Sequence, residues 1–470
     1  MTEPMEHFGL LSLLPAAVAI VLAFATRNTV FSLLVACAVG VLAAGGGPKA
    51  LPDLLKRALA TESFAWILLL ELFIGCVIAF FQRTGAIAAF TQFIEERALT
   101  RARVQLTAWG MGLFVFFSDY FSPLFVGATL RSTADRFRIS REKLAYIADS
   151  TSAPVSVIVP ITGWAVYIAG LLVGLGPIAD TGDAMAAFVA SIPYNVYAFG
   201  AVALVALIAS GVVPDFGPMA RAERRAQETG QVLREGAQPL MSEELTGIAP
   251  APGLCTRLSL NFVLPVLIVI SIALGSWLTG GSALTMEAFL AAALVSGVVM
   301  RVQGVALSDV METAMAGMKG VLPAIVILAL AYALNQLSRD LGTARYIVEL
   351  TEPWLAPALL PALTFGIAAT IAFSTGTSWG TFAIVMPIAA PLALAFSGDA
   401  LTATFYATVA AVAGGGVFGD HCSPLSDTSI LASTGAASDH IDHVRTQLPY
   451  ALVVGGFAIA GYLLIGLLTT

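Results

Sequence analysis

Apolar stretches alternate with short polar connections along almost the whole chain. A stretch of about 20 apolar residues crosses the hydrocarbon core of a bilayer as a helix, so the pattern predicts an all-α polytopic membrane protein. The predicted spans are 8–25, 30–44, 64–81, 144–174 and 185–213 in the first half, then 260–278, 289–302, 321–337, 402–433 and 447–468 in the second. Each half also holds a pair of shorter apolar segments, one pair around Ser118 and the other around Ser374.

One long polar tract separates the two halves. It runs from 214 to 257 and is rich in arginine and glutamate, as at Arg221, Glu223, Arg224 and Arg225. The predicted organisation is therefore a first transmembrane unit, 1–213, a linker, 214–257, and a second transmembrane unit, 258–470.

The two halves match each other at a nearly constant offset, which indicates a duplication. The matches pair Leu51-Pro52-Asp53 with Leu307-Ser308-Asp309, Arg83-Thr84-Gly85 with Arg339-Asp340-Leu341-Gly342, Glu96 with Glu352, Phe117-Ser118 with Phe373-Ser374, and Ser122 with Ser378. Several matches in one order favour duplication over the chance similarity that apolar segments share.

The distribution of positive charge indicates that the second half is inverted. If the segments around Ser118 and Ser374 are re-entrant hairpins, each half crosses the membrane five times, and the odd number turns the second half over. Most of the 23 Lys and Arg residues then lie on the side of the linker, which the positive-inside rule makes cytoplasmic. The sequence thus predicts two inverted-topology repeats, each with about five transmembrane helices, a re-entrant hairpin and a broken helix.

Composition narrows the class of protein. Hydrophobic residues make up 58% of the chain and charged residues only 11%, against about 25% charged in soluble domains. The net charge of −7, without a basic run, argues against nucleic acid as a partner. Membrane lipid is the expected surrounding, and no cofactor is predicted.

Polar groups interrupt the apolar pattern at four places, two in each half: 117–123, 149–154, 374–378 and 414–429. Glycine and proline at such places break helices and free backbone groups to bind an ion or a substrate. The candidate ligands are Ser118, Asp119, Ser122, Asp149, Ser150, Thr151, Ser374, Thr375, Thr377, Ser378, Asp420, His421, Ser423, Ser426 and Asp427. Hydroxyl groups among them also serve close helix packing in membranes.

The carboxylates carry the functional interpretation. An aspartate at the membrane centre costs about 2.5–3.5 kcal/mol on insertion scales, which favours a function for Asp119, Asp420 and Asp427. Asp149 corresponds to Asp420 in the other half, although it lies near the predicted cytoplasmic start of its helix. With the hydroxyls, these four carboxylates form an oxygen-rich set suited to Na⁺. His421 is either a titrating partner of Asp420 or a neutral histidine that bonds across the break.

Two segments in the second half resemble the NhaC-type sodium/proton antiporter family: 419–428 (GDHCSPLSDT) and 439–450 (DHIDHVRTQLPY). Segments 378–382 (SWGTF) and 148–155 (ADSTSAPV), with Trp164 downstream, also fit. The resemblance places the chain in a wider ion-transporter superfamily. It implies paired inverted repeats, re-entrant hairpins, elevator-like movement and a scaffold that often forms a homodimer. Family members exchange sodium for protons, and some relatives carry malate, lactate or amino acids.

The sequence therefore predicts a secondary active transporter of a bacterial-type inner membrane, with Na⁺ as the transported or coupling ion. The favoured activity is Na⁺/H⁺ antiport, in which Na⁺ and a proton compete for Asp420 or Asp119, supported by Asp149 and Asp427. The alternative is a Na⁺-coupled symporter or exchanger of a small organic anion or amino acid. An enzyme is disfavoured because no set of nucleophile, base and orienting residue is recognisable.

Overall fold

The computed structural model describes residues 7–26, 28–95, 100–116, 119–160, 162–240, 248–251, 254, 256–280, 284–351 and 356–469. Nearly all of this part of the chain is helical, and its only strand-like pairing is an isolated bridge between Pro239 and Asp439. The helices before the linker are α1 (Leu14–Thr26), α2 (Thr29–Ala43), α3 (Ala50–Leu59), α4 (Glu62–Arg83), α5 (Ala86–Glu95), α6 (Arg101–Phe114), α7 (Phe121–Arg136), α8 (Arg141–Ser150), α9 (Ala153–Ser156), α10 (Gly163–Gly170), α11 (Thr181–Ser191) and α12 (Val196–Ala209). The linker forms α13 (Gly217–Thr229). The later helices are α14 (Leu264–Gly280), α15 (Thr285–Val302), α16 (Leu307–Gly320), α17 (Leu322–Asp340), α18 (Thr343–Thr351), α19 (Leu360–Thr375), α20 (Ser378–Phe396), α21 (Ala403–Cys422), α22 (Asp427–Gly435) and α23 (His440–Thr469).

The helices confirm the prediction of an all-α polytopic membrane protein. Within the described ranges, 7 helices are long and apolar enough to cross a bilayer, and the bent pair α11–α12 raises the number to 8. The first two helices are too short to be counted among these, with 13 residues in α1 and 15 in α2. Five crossings in each half therefore stay a prediction.

Two predicted spans of the first half are divided in the structure, and in one of them, 144–174, the division falls at the predicted break 149–154. Span 185–213 consists of α11 and α12, which meet at an angle of 50°. Pro193 lies in the short 3-10 turn between them, and Asn195 caps α12 by accepting a bond from Ala198 N. Proline lacks the N–H that would continue the helix, so the chain bends there. Span 144–174 is likewise divided into α8, α9 and α10.

The apolar interior separates into two helix bundles. One apolar core is built mainly from α1–α4 and α14–α17, which we call the frame bundle. The other cores join α6–α12 to α19–α21 and α23, which with α22 we call the site bundle. Side chains of α7 and α22 also reach the frame core, so these two helices lie at the boundary between the bundles.

The frame bundle is held by close backbone contacts. Helix α4 packs against α15 and α16, and α17 packs against α2 and α3. Where α4 crosses α16, a Cβ atom on Gly75 would lie 2.5 Å from Gly317 O, and one on Gly317 would lie 2.4 Å from Gly75 O. Only glycine permits this approach, as in other membrane helix pairs packed through small residues.

Candidate functional site

The break in the second half lies between α21 and α22. Helix α21 ends at Cys422, Ser423 adopts an extended conformation (φ −84°, ψ 138°), and α22 begins at Asp427. Pro424 cannot donate the backbone bond that would continue α21. Ser426 caps the new helix by accepting a bond from Ser429 N. The sequence GDHCSPLSDT therefore stops one helix and starts the next within four residues.

Asp420 joins this break to the tip between α19 and α20. Its Oδ2 accepts bonds from Ser378 Oγ and from Ser378 N, the latter at 3.3 Å, and its Oδ1 accepts a bond from Ser426 Oγ. Ser378 is the first residue of α20, and only 2% of Asp420 is exposed. Both carboxylate oxygens are therefore held by hydroxyl groups that come from two different breaks.

The position of Asp420 is fixed by tight packing of α21 on α19. A Cβ atom on Gly419 would lie 2.3 Å from Ala369 O and 2.4 Å from Phe373 N. Since a real Cβ atom does not approach a backbone atom so closely, glycine beside Asp420 is a requirement of this crossing.

Two further carboxyl groups lie near Asp420. Asp427 Oδ2 accepts a bond from Tyr120 OH at 3.1 Å, and both Asp420 and Asp119 act on Asp427 electrostatically. Asp119 is 4% exposed, and its Oδ2 has no hydrogen-bond partner among the residues described. Three carboxyl groups in one buried place repel each other unless protons or cations offset their charge. We call Asp119, Asp420 and Asp427 the carboxylate cluster.

Asp149 lies in a separate polar group. Its Oδ2 accepts bonds from Ser429 Oγ at 3.2 Å and from Gln447 Nε2 at 3.0 Å, and His443 Nε2 lies 3.1 Å away. These four residues, which we call the Asp149 cluster, are all buried. The hydrogen-bond partners of Asp149 are thus different from those of Asp420, although the two residues correspond in the sequence.

His443 and Gln447 are the residues that sequence reasoning left outside the candidate site. They lie four residues apart on α23 and therefore on one face of the helix, and this face meets Asp149. Gln447 Nε2 also donates to the backbone oxygen of His421. Their spacing of four residues, within the polar first turns of α23, was the available signal.

His421 bonds within the protein on the other side of the break. Its Nε2 lies 3.1 Å from Tyr197 OH, and 1% of the residue is exposed. This contact joins α21 to α12.

The remaining predicted ligands fall into three groups. Thr151, Ser374 and Thr375 donate to backbone carbonyls three or four residues earlier in their own helices. Thr377 caps α20, and Ser423 Oγ donates to Phe373 O at 2.7 Å. Ser122 and Ser150 are buried, and their hydroxyl groups have no partner in the described part of the chain, whereas Ser118 lies outside the described residues.

A cavity of about 480 Å³ leads to the carboxylate cluster from the boundary between the bundles. The frame bundle lines it with Trp66, Tyr332, Asn335, Gln336 and Arg339, and the other wall consists of Tyr120, Thr375, Gly376, Thr377, Trp379, Gly380, Leu425 and Asp427. Since Arg339 is exposed and Asp427 lies on the cavity wall, the cavity connects the surface with the cluster.

The donor set at Asp420 suits an alkali cation. The described residues contain no group of three or more His, Cys, Asp or Glu arranged to hold a metal ion. Hydroxyl and carboxylate oxygens around Asp420 are instead the ligands that hard cations prefer. Interrupted helices, a buried carboxylate cluster and a polar cavity inside a multi-span helical bundle define a membrane transport protein.

Comparison with known proteins gives the family. Residues 173–467 match the Na⁺/H⁺ antiporter family, and the chain belongs to it. An uncharacterised protein of Haemophilus influenzae is 34% identical over 97% of this chain and 90% of its own length.

Relatives with named activities match over shorter regions. The arginine/ornithine antiporter ArcD of Halobacterium salinarum is 34% identical over 31% of this chain and 29% of its own length. The malate-2H⁺/Na⁺-lactate antiporter of Bacillus subtilis is 28% identical over 34% of each chain. The protein is thus a secondary transporter of the antiporter type, in a family of transporters and not of enzymes.

Proposed function

We propose that the protein exchanges Na⁺ for H⁺ at the carboxylate cluster. The observation that supports this most is Asp420, whose two oxygens accept bonds from Ser378 and Ser426 at the meeting point of two helix breaks. A deprotonated Asp420 binds Na⁺ together with nearby hydroxyl oxygens, and protonation of the carboxylate releases the ion. Because one carboxylate serves both ligands in turn, each conformation carries either Na⁺ or a proton.

Asp119 and Asp427 have supporting roles in this proposal. Their negative charges attract a cation to the cluster, and Asp427 lies on the wall of the cavity through which the ion arrives. Asp149 is placed differently, because its Oδ2 contacts His443 and Gln447 of α23 and the residue lies outside the carboxylate cluster. We therefore assign Na⁺ binding to Asp420, Asp119 and Asp427 and a structural contribution to Asp149.

We also infer the inverted repeat and its orientation. The packing of α4 on α15 and α16 mirrors the packing of α17 on α2 and α3, as expected if the frame halves are related by a twofold axis in the membrane plane. By the positive-inside rule, the linker lies on the cytoplasmic side of a bacterial-type inner membrane. The cavity then opens to the side of the membrane opposite the cytoplasm. A homodimer is proposed from the resemblance to the NhaC-type family.

Purified protein in liposomes tests the exchange. A Na⁺ gradient should dissipate a preset pH difference, and Asp420→Asn should abolish this activity because the amide cannot exchange a proton. Asp399→Asn is the matched control: Asp399 is exposed in the turn between α20 and α21, and its φ of 60° is one that asparagine tolerates. Exchange that survives Asp420→Asn would refute the assignment.

The cavity supports a second candidate function, the Na⁺-coupled transport of a small organic anion or amino acid. A bare Na⁺ ion needs far less than 480 Å³, and the walls include the aromatic residues Trp66, Tyr332 and Trp379. The guanidinium group of Arg339, a residue that lines the cavity, has no hydrogen bond or ion pair with the described part of the chain. Guanidinium groups bind carboxylates with paired hydrogen bonds. A thermal-shift screen of organic acids and amino acids tests this function. Stabilisation by one of them only with Na⁺, and its loss in Arg339→Gln, would favour this candidate over simple ion exchange.

A further inference from the structure

The linker crosses the face of the site bundle that lies away from the cavity. After α13, residues 230–240, which we call the strap, run over the loop between α22 and α23. Leu240 N donates to Ser438 O at 3.3 Å, and Gln238 N donates to Asp439 Oδ2 at 2.8 Å. Pro239 pairs with Asp439 in antiparallel register. The end of the strap is therefore bound to the loop between α22 and α23.

An arginine holds the strap at the start of α23. Arg234 Nε donates to Asp442 Oδ2 at 2.7 Å, and its guanidinium group lies 3.8 Å from Asp439 Oδ2. We call Arg234, Asp439 and Asp442 the latch. The side chain of Arg234 is 30% exposed, whereas those of Asp439 and Asp442 are 4% and 11% exposed. Water can thus reach Arg234, and its guanidinium group remains solvated when the latch opens.

The same segment also holds the start of α8. Arg141 N donates to Val232 O at 3.1 Å. Arg225 from α13 donates to both carboxylate oxygens of Glu142, at 2.9 and 3.0 Å. Helices α8 and α23 carry three of the four residues of the Asp149 cluster, and the fourth, Ser429, lies on α22. The linker therefore restrains two of the three helices that enclose the cluster.

Buried polar residues lie between the strap and the break. His440 Nε2, next to the latch, lies 3.1 Å from Pro424 O in the break. Asp149, His443 and Gln447 are each 0% exposed. On the other face, the cavity is open to the surface and reaches Asp427. One face of the site is thus open while the linker covers the other.

We propose that the strap is the gate on the linker face, held closed by the latch. The inference rests on the proposed function, in which an ion reaches the carboxylate cluster from each face in turn. Alternating access then requires the strap to leave the loop between α22 and α23 once in every transport cycle. The linker is a moving part of the transport path and also the connection between the two halves.

Native Cys422 reports whether the gate is closed. It is 0% exposed at the end of α21, two residues after Asp420. Its modification by a maleimide, followed by peptide mass spectrometry, measures access to the site and does not require the transported ion to be known. Cys37, buried in α2 of the frame bundle, is an internal control for general unfolding.

Breaking the latch should expose this cysteine more often. Arg234→Gln should raise the modification rate of Cys422 about fivefold, which corresponds to about 1 kcal/mol, the upper range for a partly exposed ion pair. Arg221→Gln, a change at an exposed arginine of α13, should leave the rate unchanged, and Cys37 should react equally in all variants. Equal rates of Cys422 modification in Arg234→Gln and Arg221→Gln would overturn the proposal.

Locking the strap tests the same idea through transport. Leu240→Cys with Ser438→Cys places two thiols on opposite sides of the antiparallel pairing, within reach of a disulfide. The exchange rate of the oxidised protein should fall about tenfold or more, and a reductant should restore the rate. Undiminished exchange in the fully cross-linked protein would overturn the gate, and a double variant that forms no cross-link would contradict the position of the strap. A reduced protein that exchanges no Na⁺ for H⁺, but whose Cys422 still responds to Arg234→Gln, would refute the proposed function and leave the gate standing.

Discussion

Ser378→Ala is the sharpest test of the proposal that Asp420 holds a cation, because it removes one hydroxyl and keeps the backbone. Ser378 Oγ donates to Asp420 Oδ2, and Ser378 N lies 3.3 Å from the same oxygen. A hydrogen bond to a charged group contributes about 1.5–3 kcal/mol. The backbone N–H remains in the alanine variant, so we expect a loss near the lower end of this range. About 1.4 kcal/mol corresponds to a tenfold change in affinity.

The assay is Na⁺-driven dissipation of a pH difference in liposomes, measured over a range of Na⁺ concentrations at fixed pH. The Na⁺ concentration for half-maximal rate should rise about tenfold in Ser378→Ala. Ser397→Ala is the matched control, since Ser397 follows the other end of α20 and its hydroxyl donates to Ala393 O. Ser426 is less suitable because it also caps α22. A half-maximal concentration within twofold of the unmodified protein would refute the reasoning that the Ser378 hydroxyl shapes the ion site.

Two other changes probe the packing and the edge of the cluster. Gly419→Ala should destabilise the protein by about 1–3 kcal/mol through the clash with Ala369 O, which a lower unfolding temperature would show. Gly456→Ala is the control and should have little effect, because a Cβ atom there meets nothing within 4 Å. Equal unfolding temperatures of the two variants would contradict the crossing of α21 and α19. Tyr120→Phe should raise the Na⁺ concentration for half-maximal rate about threefold and leave the thermal stability unchanged, because one donor to Asp427 is lost. An unaltered Na⁺ dependence would place Asp427 outside the ion path.

The second-half break is the part of the site that the sequence predicts best. Residues 414–429 contain the glycines, the proline, the carboxylates and the capping serine in one continuous segment, so the local chemistry determines the local structure. Ser378 was also predicted, because hydroxyl residues at a hairpin tip stand out in an apolar context. The structure adds the contact between Ser378 and Asp420, which depends on how α19 and α21 cross.

Other features depend on contacts that no spacing along the chain contains. Asp149 and Asp420 correspond in the two halves, yet they bind different partners because His443 and Gln447 approach only one of them. Trp66 lines the cavity although it lies in a run that reads like any other span. Tertiary packing determines the partners of Asp149 and the position of Trp66. The periodicity of a single helix carries no information about the helices that pack against it.

The division into two bundles has a consequence for how such transporters diverge. All three members of the carboxylate cluster belong to the site bundle, whereas Trp66, Tyr332 and Arg339 come from the frame bundle. Substitutions on the frame wall can reshape the cavity without disturbing the hydroxyl groups around Asp420. Ion binding at the carboxylate cluster and the specificity for a transported substrate can therefore evolve independently. Related transporters can then keep one ion site and transport different substrates.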